Sequence, residues 1–341
     1  MTQPFLERLD EPARKLLLSV ARPVSFAKGA RLVRHGEAAR GAWVLGRGSA
    51  EATVVLPGGE TLTVAKLAAG DMFGEMALVE RGSCTATVAA TADIDGWFVG
   101  REDFRALVAQ RDAVAQSVQH AVTLVLAEKL RALNARVLEV EEPGDKPAAT
   151  PEGEVRLEAV KRLKKAPFDM RSFLPLLPFF EGFDEPEIDE VVSVSSLLEL
   201  PRGQTIFASG HASEAAFIVL RGAVEIIASH AGRERRMAVL GPGQIVGYMS
   251  LLEGRAHGSA ARVREDALLL EIARNDFEMI CFVASSASTK LHRAIQRSLL
   301  SSLGQTNRHF TRLISLARLR GAEKQGDSLE SALSGQIVAA N

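Results

Sequence analysis

Residues 70 to 90, GDMFGEMALVERGSCTATVAA, place a carboxylate among closely spaced glycines and small side chains. Gly74 and the small-residue run after it predict a tight turn into a short helix, whose first amides have no partner inside the helix. Such amides carry partial positive charge and bind anions. The carboxylate of Glu75 repels a phosphate but accepts hydrogen bonds from a hydroxyl group. The pattern therefore indicates a site for a small anion that also carries hydroxyl groups.

The sequence contains two copies of one pattern, and a search for such repeats decides its organisation. The copies are offset by 174 residues at first and by 173 after a shared hairpin. An offset this constant predicts two domains of the same fold. The matching pairs are Gly29 and Gly203, Gly36 and Gly210, Arg47 and Arg221, Gly70 and Gly243, Gly74 and Gly247, and Asp103 and Asp276.

Each copy consists of short β-branched runs bounded by glycines, which is typical of a β-sandwich or barrel, and each copy ends in a helix. We predict a first domain at 1–142, a linker with a short charged helix at 143–170, a second domain with C-terminal helices at 171–320, and a flexible tail at 321–341. An apolar stripe follows the first terminal helix and would cover either a homodimer seam or the second domain. The stripe comprises Val122, Leu126, Leu130, Leu133, Val137 and Val140.

The segment FGEMAL followed by TATVAA resembles the phosphate-binding cassette of cyclic nucleotide-binding domains, the family of the catabolite activator proteins and the regulatory subunits of cAMP-dependent protein kinase. The resemblance implies a mainly β protein with flanking helices, built from two double-stranded β-helix (jelly-roll) domains. It implies cAMP or cGMP as a regulatory ligand. Gly74 and Glu75 match the family's glycine and ribose-binding glutamate. Met76 and Ala77 match the positions whose amides meet the phosphate.

Both cassettes depart from the family pattern. The phosphate-binding arginine falls at Cys84 in the first copy, where Arg81 and Thr85 are the nearby candidates. A thiol supplies no fixed positive charge, and the arginine–phosphate contact is among the stronger hydrogen-bonded pairs. The second copy keeps Gly247, followed by Tyr248, Met249 and Ser250, so a tyrosine replaces the glutamate. Its arginine position falls on His257 or Ser259, depending on where a gap is placed. We therefore expect the second site to be degenerate.

Composition excludes several other classes of protein. Lys plus Arg total 41 and Asp plus Glu total 42, so no global field draws the chain to nucleic acid or membrane. Two cysteines without close spacing predict neither a zinc site nor a disulfide scaffold. We find no catalytic motif, metal-ligand spacing or membrane span, and we expect a cytoplasmic protein that is not an enzyme. The residues after the second copy are too few for the DNA-reading module of activator-type relatives.

Two functions remain open at this point. In the first, the protein is a regulatory sensor whose first domain binds a cyclic nucleotide. In the second, it is a nucleotide-independent scaffold that recruits an unknown protein partner through its degenerate domains and basic C-terminal helices. The segment 279–322 contains no acidic residue and seven basic ones, which favours an acidic partner or a merely solvated basic helix face. The intact Gly74–Glu75 pair favours the sensor, and Cys84 favours the scaffold.

Overall fold

The computed structural model of the protein describes residues 4–55, 59, 61–140, 146–147, 161–163, 169–230 and 233–337. The first half is a β-roll preceded by one helix and followed by two. Its elements are α1 (Glu11–Val20), β1 (Arg22–Phe26), β2 (Arg31–Val33), β3 (Gly41–Arg47), β4 (Ala50–Val55), β5 (Thr61–Leu67), β6 (Met72–Phe73), α2 (Met76–Val79), β7 (Thr87–Ala90), β8 (Ile94–Gly100), α3 (Arg101–Val108) and α4 (Ala113–Glu139).

Eight antiparallel strands form the first roll in two four-stranded sheets, with the orders β1-β8-β3-β6 and β2-β7-β4-β5. Alternating burial along β4 shows that one face of its sheet points into the roll. Buried side chains of both sheets, including Leu45, Phe73 and Val88, form one apolar cluster inside. The jelly-roll prediction is confirmed for this half.

The second half repeats this roll after a two-strand linker and two short helices. Its strand β13 is 16 residues long and β16 is 14 residues long, and each continues through what are two separate strands in the first half. The elements are β9 (Lys146–Pro147), β10 (Lys161–Leu163), α5 (Met170–Phe173), α6 (Glu185–Ser193), β11 (Ser195–Leu200), β12 (Thr205–Phe207), β13 (Ala215–His230), β14 (Arg233–Leu240), β15 (Ile245–Val246), α7 (Tyr248–Leu252), β16 (Ala260–Ala273), α8 (Arg274–Phe282) and α9 (Ser286–Ile337).

The long helices α4 and α9 lie side by side in parallel, and several residues of the seam contact partners 172 or 173 positions away, at or next to the repeat offset. His120 Nδ1 lies 3.4 Å from His292 Nε2, 172 residues apart. Asn134 accepts from Thr306 at the same separation. Because residues at or next to equivalent positions face each other, a pseudo-two-fold axis relates the two halves, as in a symmetric dimer.

The seam between α4 and α9 combines apolar packing with buried hydrogen bonds. Leu126 and Leu130 of the predicted stripe join the core of the second half, and Val137 packs on Phe310. A homodimer seam and the second domain were the two partners considered for this stripe. In the structure, the stripe contacts the second domain. The Gln296 side chain donates to Thr123 Oγ1 at 2.9 Å. Buried polar groups paired in this way fix the alignment of the two helices.

Two predicted segment boundaries differ from the structure. Lys161–Leu163 lies in the predicted charged helix but forms strand β10, which pairs antiparallel with β11, and Arg162 pairs with Glu271 at 3.0 Å. Hydrogen bonds to an open sheet edge override the local helix pattern there; the neighbouring linker residues 148–160 and 164–168 lie outside the described part. At the other end, α9 continues through Ile337, into the segment predicted as a tail. That segment lacks proline and is rich in residues that propagate a helix.

Among the described residues, no helix has the length and apolar character needed to cross a bilayer.

Candidate functional site

The first cassette begins with a left-handed glycine. Gly74 has φ +78°, a conformation that side chains rarely adopt. A Cβ at this position would also lie 2.8 Å from Gly41 O and 3.1 Å from the Trp43 ring. Both constraints require glycine, and Gly247 in the second cassette repeats the conformation with φ +83°. The turn delivers the next residue, Glu75, to a buried position beside α4.

Glu75 is buried and paired with a lysine of α4. Its side chain is 3% exposed, and Lys129 Nζ donates to its Oε2 at 2.6 Å. The same ammonium group lies 3.3 Å from Met72 O. The side chain therefore has a charged hydrogen-bond partner without a ligand. This ion pair ties the cassette to the helix that forms the seam with the second half.

Arg101, the first residue of α3, holds the far end of the first cassette. Its guanidinium donates to the carbonyls of Ala77, Ala39 and Glu80, the last two at 2.6 and 3.0 Å. The bonds to Ala77 and Glu80 satisfy carbonyls that the short helix α2 leaves without partners. Arg274, its repeat equivalent 173 residues later, similarly donates to Ser213 O.

The remaining predicted residues of the first cassette are dispersed. Met76 starts α2, and the Ala77 amide donates to Gly74 O at 2.9 Å, so this amide is already used. Thr85 is exposed. Arg81 is 83% exposed and lies 3.9 Å from Glu102, so its guanidinium does not fill the arginine's place beside Cys84.

Cys84 occupies the predicted arginine position and is held by the backbone. Its amide donates to Glu37 O at 2.8 Å, and its carbonyl accepts from Gly36 N at 2.9 Å. Its side chain packs against the apolar cluster of the roll, next to Ala86. Burial, and secondarily the Glu37 carboxylate, raise the pKa of the Cys84 thiol. The group is thus neutral and provides no counter-charge for a phosphate.

The backbone identifies His257 as the structural equivalent of Cys84. The His257 amide donates to His211 O at 2.9 Å and its carbonyl accepts from Gly210 N at 2.7 Å, which repeats the two bonds of Cys84. The loop therefore has the same length in both copies, and of the two positions considered, His257 and not Ser259 takes the arginine's place. Its ring stacks on Phe207 with centroids 3.7 Å apart. Burial lowers the pKa of His257 to about 4, helped by His211 and by the nearby cations, so the ring is neutral at pH 7.

Tyr248 replaces the cassette carboxylate in the second half and is fully enclosed. Its hydroxyl is hydrogen-bonded to Ser298 of α9, and burial raises the pKa of the phenol well above its usual value. Met249 is half-buried and Ser250 is buried behind it. Each cassette is therefore fastened to the terminal helix of its own half, the first by an ion pair and the second by a neutral hydrogen bond.

Sequence reasoning missed Lys129 and Arg101. Lys129 lies between Leu126 and Leu130 of the apolar stripe, at the edge of the buried face, and this position was the available signal. Arg101 recurs as Arg274 at the repeat offset, a match that could also have been read from the sequence. Among the described residues, His, Cys, Asp and Glu side chains form no group of three or more that could hold a metal ion.

The fold and the paired cassettes define a protein with two repeated jelly-roll domains, and comparison with known proteins gives its family. The family model of the cyclic nucleotide-binding domain matches residues 23–111 and 197–283, which together make up just over half of the chain. The chain belongs to the cyclic nucleotide-binding domain family and carries two copies of the domain.

Similar proteins include receptors and regulatory subunits. The cyclic AMP receptor protein of Thermus thermophilus is 32% identical over 151 residues, which cover 41% of this chain and 70% of that protein. The cAMP-dependent protein kinase regulatory subunit of Mycosarcoma maydis is 33% identical over 95 residues, 28% of this chain but only 18% of that protein. The regulatory domain of Toxoplasma gondii PKA, solved with cAMP, is 17% identical with a TM-score of 0.32, over 84% of this chain and 90% of that one.

Proposed function

We propose that the protein is a non-catalytic sensor whose first domain binds a cyclic nucleotide. The second domain binds no nucleotide and serves as the structural partner on which the first domain packs. The observation that carries this proposal is the Glu75–Lys129 ion pair. Glu75 matches the family's ribose-binding glutamate in sequence, and the ion pair links this buried side chain to α4. A ligand at Glu75 therefore acts directly on the helix that joins the two halves.

The sensor would work by competition for Glu75. A ribose hydroxyl that donates to this carboxylate takes over a hydrogen bond now made by Lys129 Nζ. The ammonium group is 39% exposed and is then free to turn toward the ligand's phosphate. The ligand binds more tightly to the conformation in which Lys129 has left Glu75. Ligand binding therefore shifts the conformational equilibrium of α4 toward that conformation. Nucleotide affinity is lowered in two ways. The ligand must break the Glu75–Lys129 ion pair, and position 84 has no arginine to pair with the phosphate.

The second domain has lost both groups that would recognise a nucleotide. His257 stacks on Phe207 where the arginine belongs, and Tyr248 stands where the carboxylate belongs. A buried neutral ring and a buried phenol offer neither a cation nor an ionised acceptor. These replacements support a stoichiometry of one nucleotide per chain.

Calorimetric titration with cAMP and with cGMP tests the proposal. We expect one site per chain in the unmodified protein, no measurable heat with Glu75→Gln, and unchanged binding with Tyr248→Phe, the matched change in the second cassette. The carboxamide still fills the space of Glu75 but removes the ionised acceptor. Absence of heat at millimolar ligand, or equal loss in both variants, would refute the assignment.

A nucleotide-independent scaffold is the second candidate, and the packing of Cys84 against the apolar cluster favours it. A surface for an unknown protein partner is also present, because Met279, Phe282 and Val283 of the second half are 49, 54 and 57% exposed. Their repeat equivalents in the first half are the smaller or polar residues Ala106, Ala109 and Gln110. Contiguous exposed apolar residues of this kind are typical of interaction sites. The same titration separates the two functions.

A further inference from the structure

A cavity of about 400 Å³ lies between the first cassette and α9, and Glu75 does not line it. From the cassette it is lined by Met76, Ala77 and residues 80–83, and from α9 by Arg297, Ser301, Gly304 and Arg308 among others. The predicted nucleotide-site residues Glu75, Cys84 and Thr85 do not line it. It exists only because the two halves are held together along α4 and α9.

The corresponding space in the other half is closed by an arginine. Arg131 of α4 reaches across the seam and pairs with Glu253 of the second cassette at 2.5 Å. Its Nη1 lies 2.6 Å from the place of a Cβ on Gly258. The residues 173 positions from Arg131 and Glu253 are Gly304 and Glu80. A glycine thus replaces the closing arginine, and the first half keeps an open cavity where the pseudo-symmetry predicts a filled one.

The charges around the cavity are mainly positive. Three guanidinium groups, those of Arg81, Arg297 and Arg308, face one carboxylate, that of Glu80. Arg297 is already paired with Glu181 at 2.5 Å, and Arg81 is loosely placed 3.9 Å from Glu102. Among the described side chains, none forms an ion pair with Arg308. An incoming anion therefore meets one unpaired guanidinium and a second that is free to rotate.

The rest of the lining suits a phosphorylated ligand. The hydroxyls of Ser83 and Ser301 can donate to phosphate oxygens, and Gly82 and Gly304 leave the backbone accessible. Guanidinium groups match phosphate oxygens in a bidentate geometry. A cationic ligand could pair with Glu80 but would be repelled by three arginines.

We propose that this cavity is a second ligand site, specific for a small molecule with two or more phosphate groups and built around the arginines of α9 rather than around Glu75. Because it is built from the cassette of one half and α9 of the other, bound ligand cross-links the two halves. Occupancy would hold the first cassette against α9 and so oppose its movement.

Titration with inorganic tripolyphosphate, without divalent cations, tests the proposal. The unmodified protein is expected to bind one equivalent. Gly304→Arg restores the side chain that pseudo-symmetry predicts, and it is expected to abolish binding because the new guanidinium fills the cavity beside Glu80. The site tolerates a side chain, since the nearest atom to a Cβ there is Arg308 Nη1 at 3.5 Å. Arg308→Ala is expected to weaken binding by about tenfold or more, as loss of one charge-assisted bond implies.

Arg312→Ala is the matched control, because Arg312 lies one turn further along α9, is exposed, and does not line the cavity. It is expected to bind within about twofold of the unmodified protein, as a distant exposed charge contributes little. Glu75→Gln is expected to leave tripolyphosphate binding unchanged, which separates this site from the proposed nucleotide site. No heat with the unmodified protein at millimolar tripolyphosphate would overturn the proposal. So would equal weakening by Arg308→Ala and Arg312→Ala, which would show only general attraction to a basic helix.

Discussion

Cys84→Arg is expected to tighten binding of cAMP by about tenfold to a hundredfold, the gain from one charge-assisted hydrogen bond to a phosphate. Position 84 is half-buried with an exposed neighbour on each side, so the longer side chain has a path along the cassette. The backbone bonds of Cys84 to Gly36 and Glu37 do not involve its side chain and should persist. Calorimetry gives the change in affinity, and thermal melting verifies that the variant is folded.

The matched control is His257→Arg, at the structurally equivalent position of the second half. It is expected to create no second nucleotide site, because Tyr248 there offers no ionised acceptor for the ribose. Cys84→Ser, which keeps the size of the side chain but adds no charge, should leave affinity within about twofold. A folded Cys84→Arg protein without any gain in affinity would mean that the first roll has lost its nucleotide pocket altogether, and the scaffold function would stand.

Acidification from pH 7.5 to 5.0 is expected to reduce the free energy of unfolding substantially. Burial lowers the pKa of His292 to about 4 at the seam of α4 and α9. In the unfolded chain this group has its ordinary pKa near 6.5. Between these two values the unfolded state binds the extra proton, so stability is complete above pH 6.5 and falls as the pH drops toward 4. His292 alone accounts for about 2 kcal/mol at pH 5.0.

Two other histidines act in the same direction. Burial lowers the pKa of His120 to about 4, and its ring faces His292. The pKa of His257 is lowered to about 4 as well, inside the second roll. Protonating either ring of the seam pair places a charge beside its neighbour, with no carboxylate in hydrogen-bond contact with either ring among the described residues. The seam is thus expected to open first in acid.

Urea unfolding at the two pH values measures this effect. His292→Gln should reduce the difference between them by about 2 kcal/mol, because the amide does not titrate. His35→Gln, an exposed histidine on the first roll, should leave the difference unchanged. An unmodified protein that is equally stable at pH 7.5 and 5.0 would contradict the buried, neutral state of the seam histidines.

The sequence predicted the domain count and the roll because both depend on local, repeated signals. Glycines that recur at a fixed offset, such as Gly74 and Gly247, mark turns whose backbone conformation only glycine adopts readily. The seam follows the same offset, since Gln296 lies 173 residues after its partner Thr123. The sequence did not predict which faces of α4 and α9 contact each other. A stripe of apolar residues shows that a helix face is buried, but not which element buries it.

The side-chain contacts of the site were harder to predict than the fold that positions it. Glu75 was identified as a candidate, but its partner Lys129 lies 54 residues away in the chain, and no local pattern joins the two. The arginine position of the second cassette was left open between His257 and Ser259, because side-chain identities alone guided the alignment. The backbone bonds of His257 give the correct equivalence, and such bonds are visible only in three dimensions. The linker strand Lys161–Leu163 was missed for a similar reason, since a sheet edge supplies its partner.

A ligand at Glu75 is expected to act on α4 through Lys129, and amide hydrogen exchange of Ala113–Glu139 measures this coupling most directly. With saturating cAMP, exchange around Lys129 is expected to change by more than threefold in the unmodified protein. Lys129→Met, which retains the stem but removes the charge, should bind cAMP with a much smaller change in α4. Identical exchange of α4 with and without bound cAMP would contradict the coupling and leave the ion pair a purely structural contact.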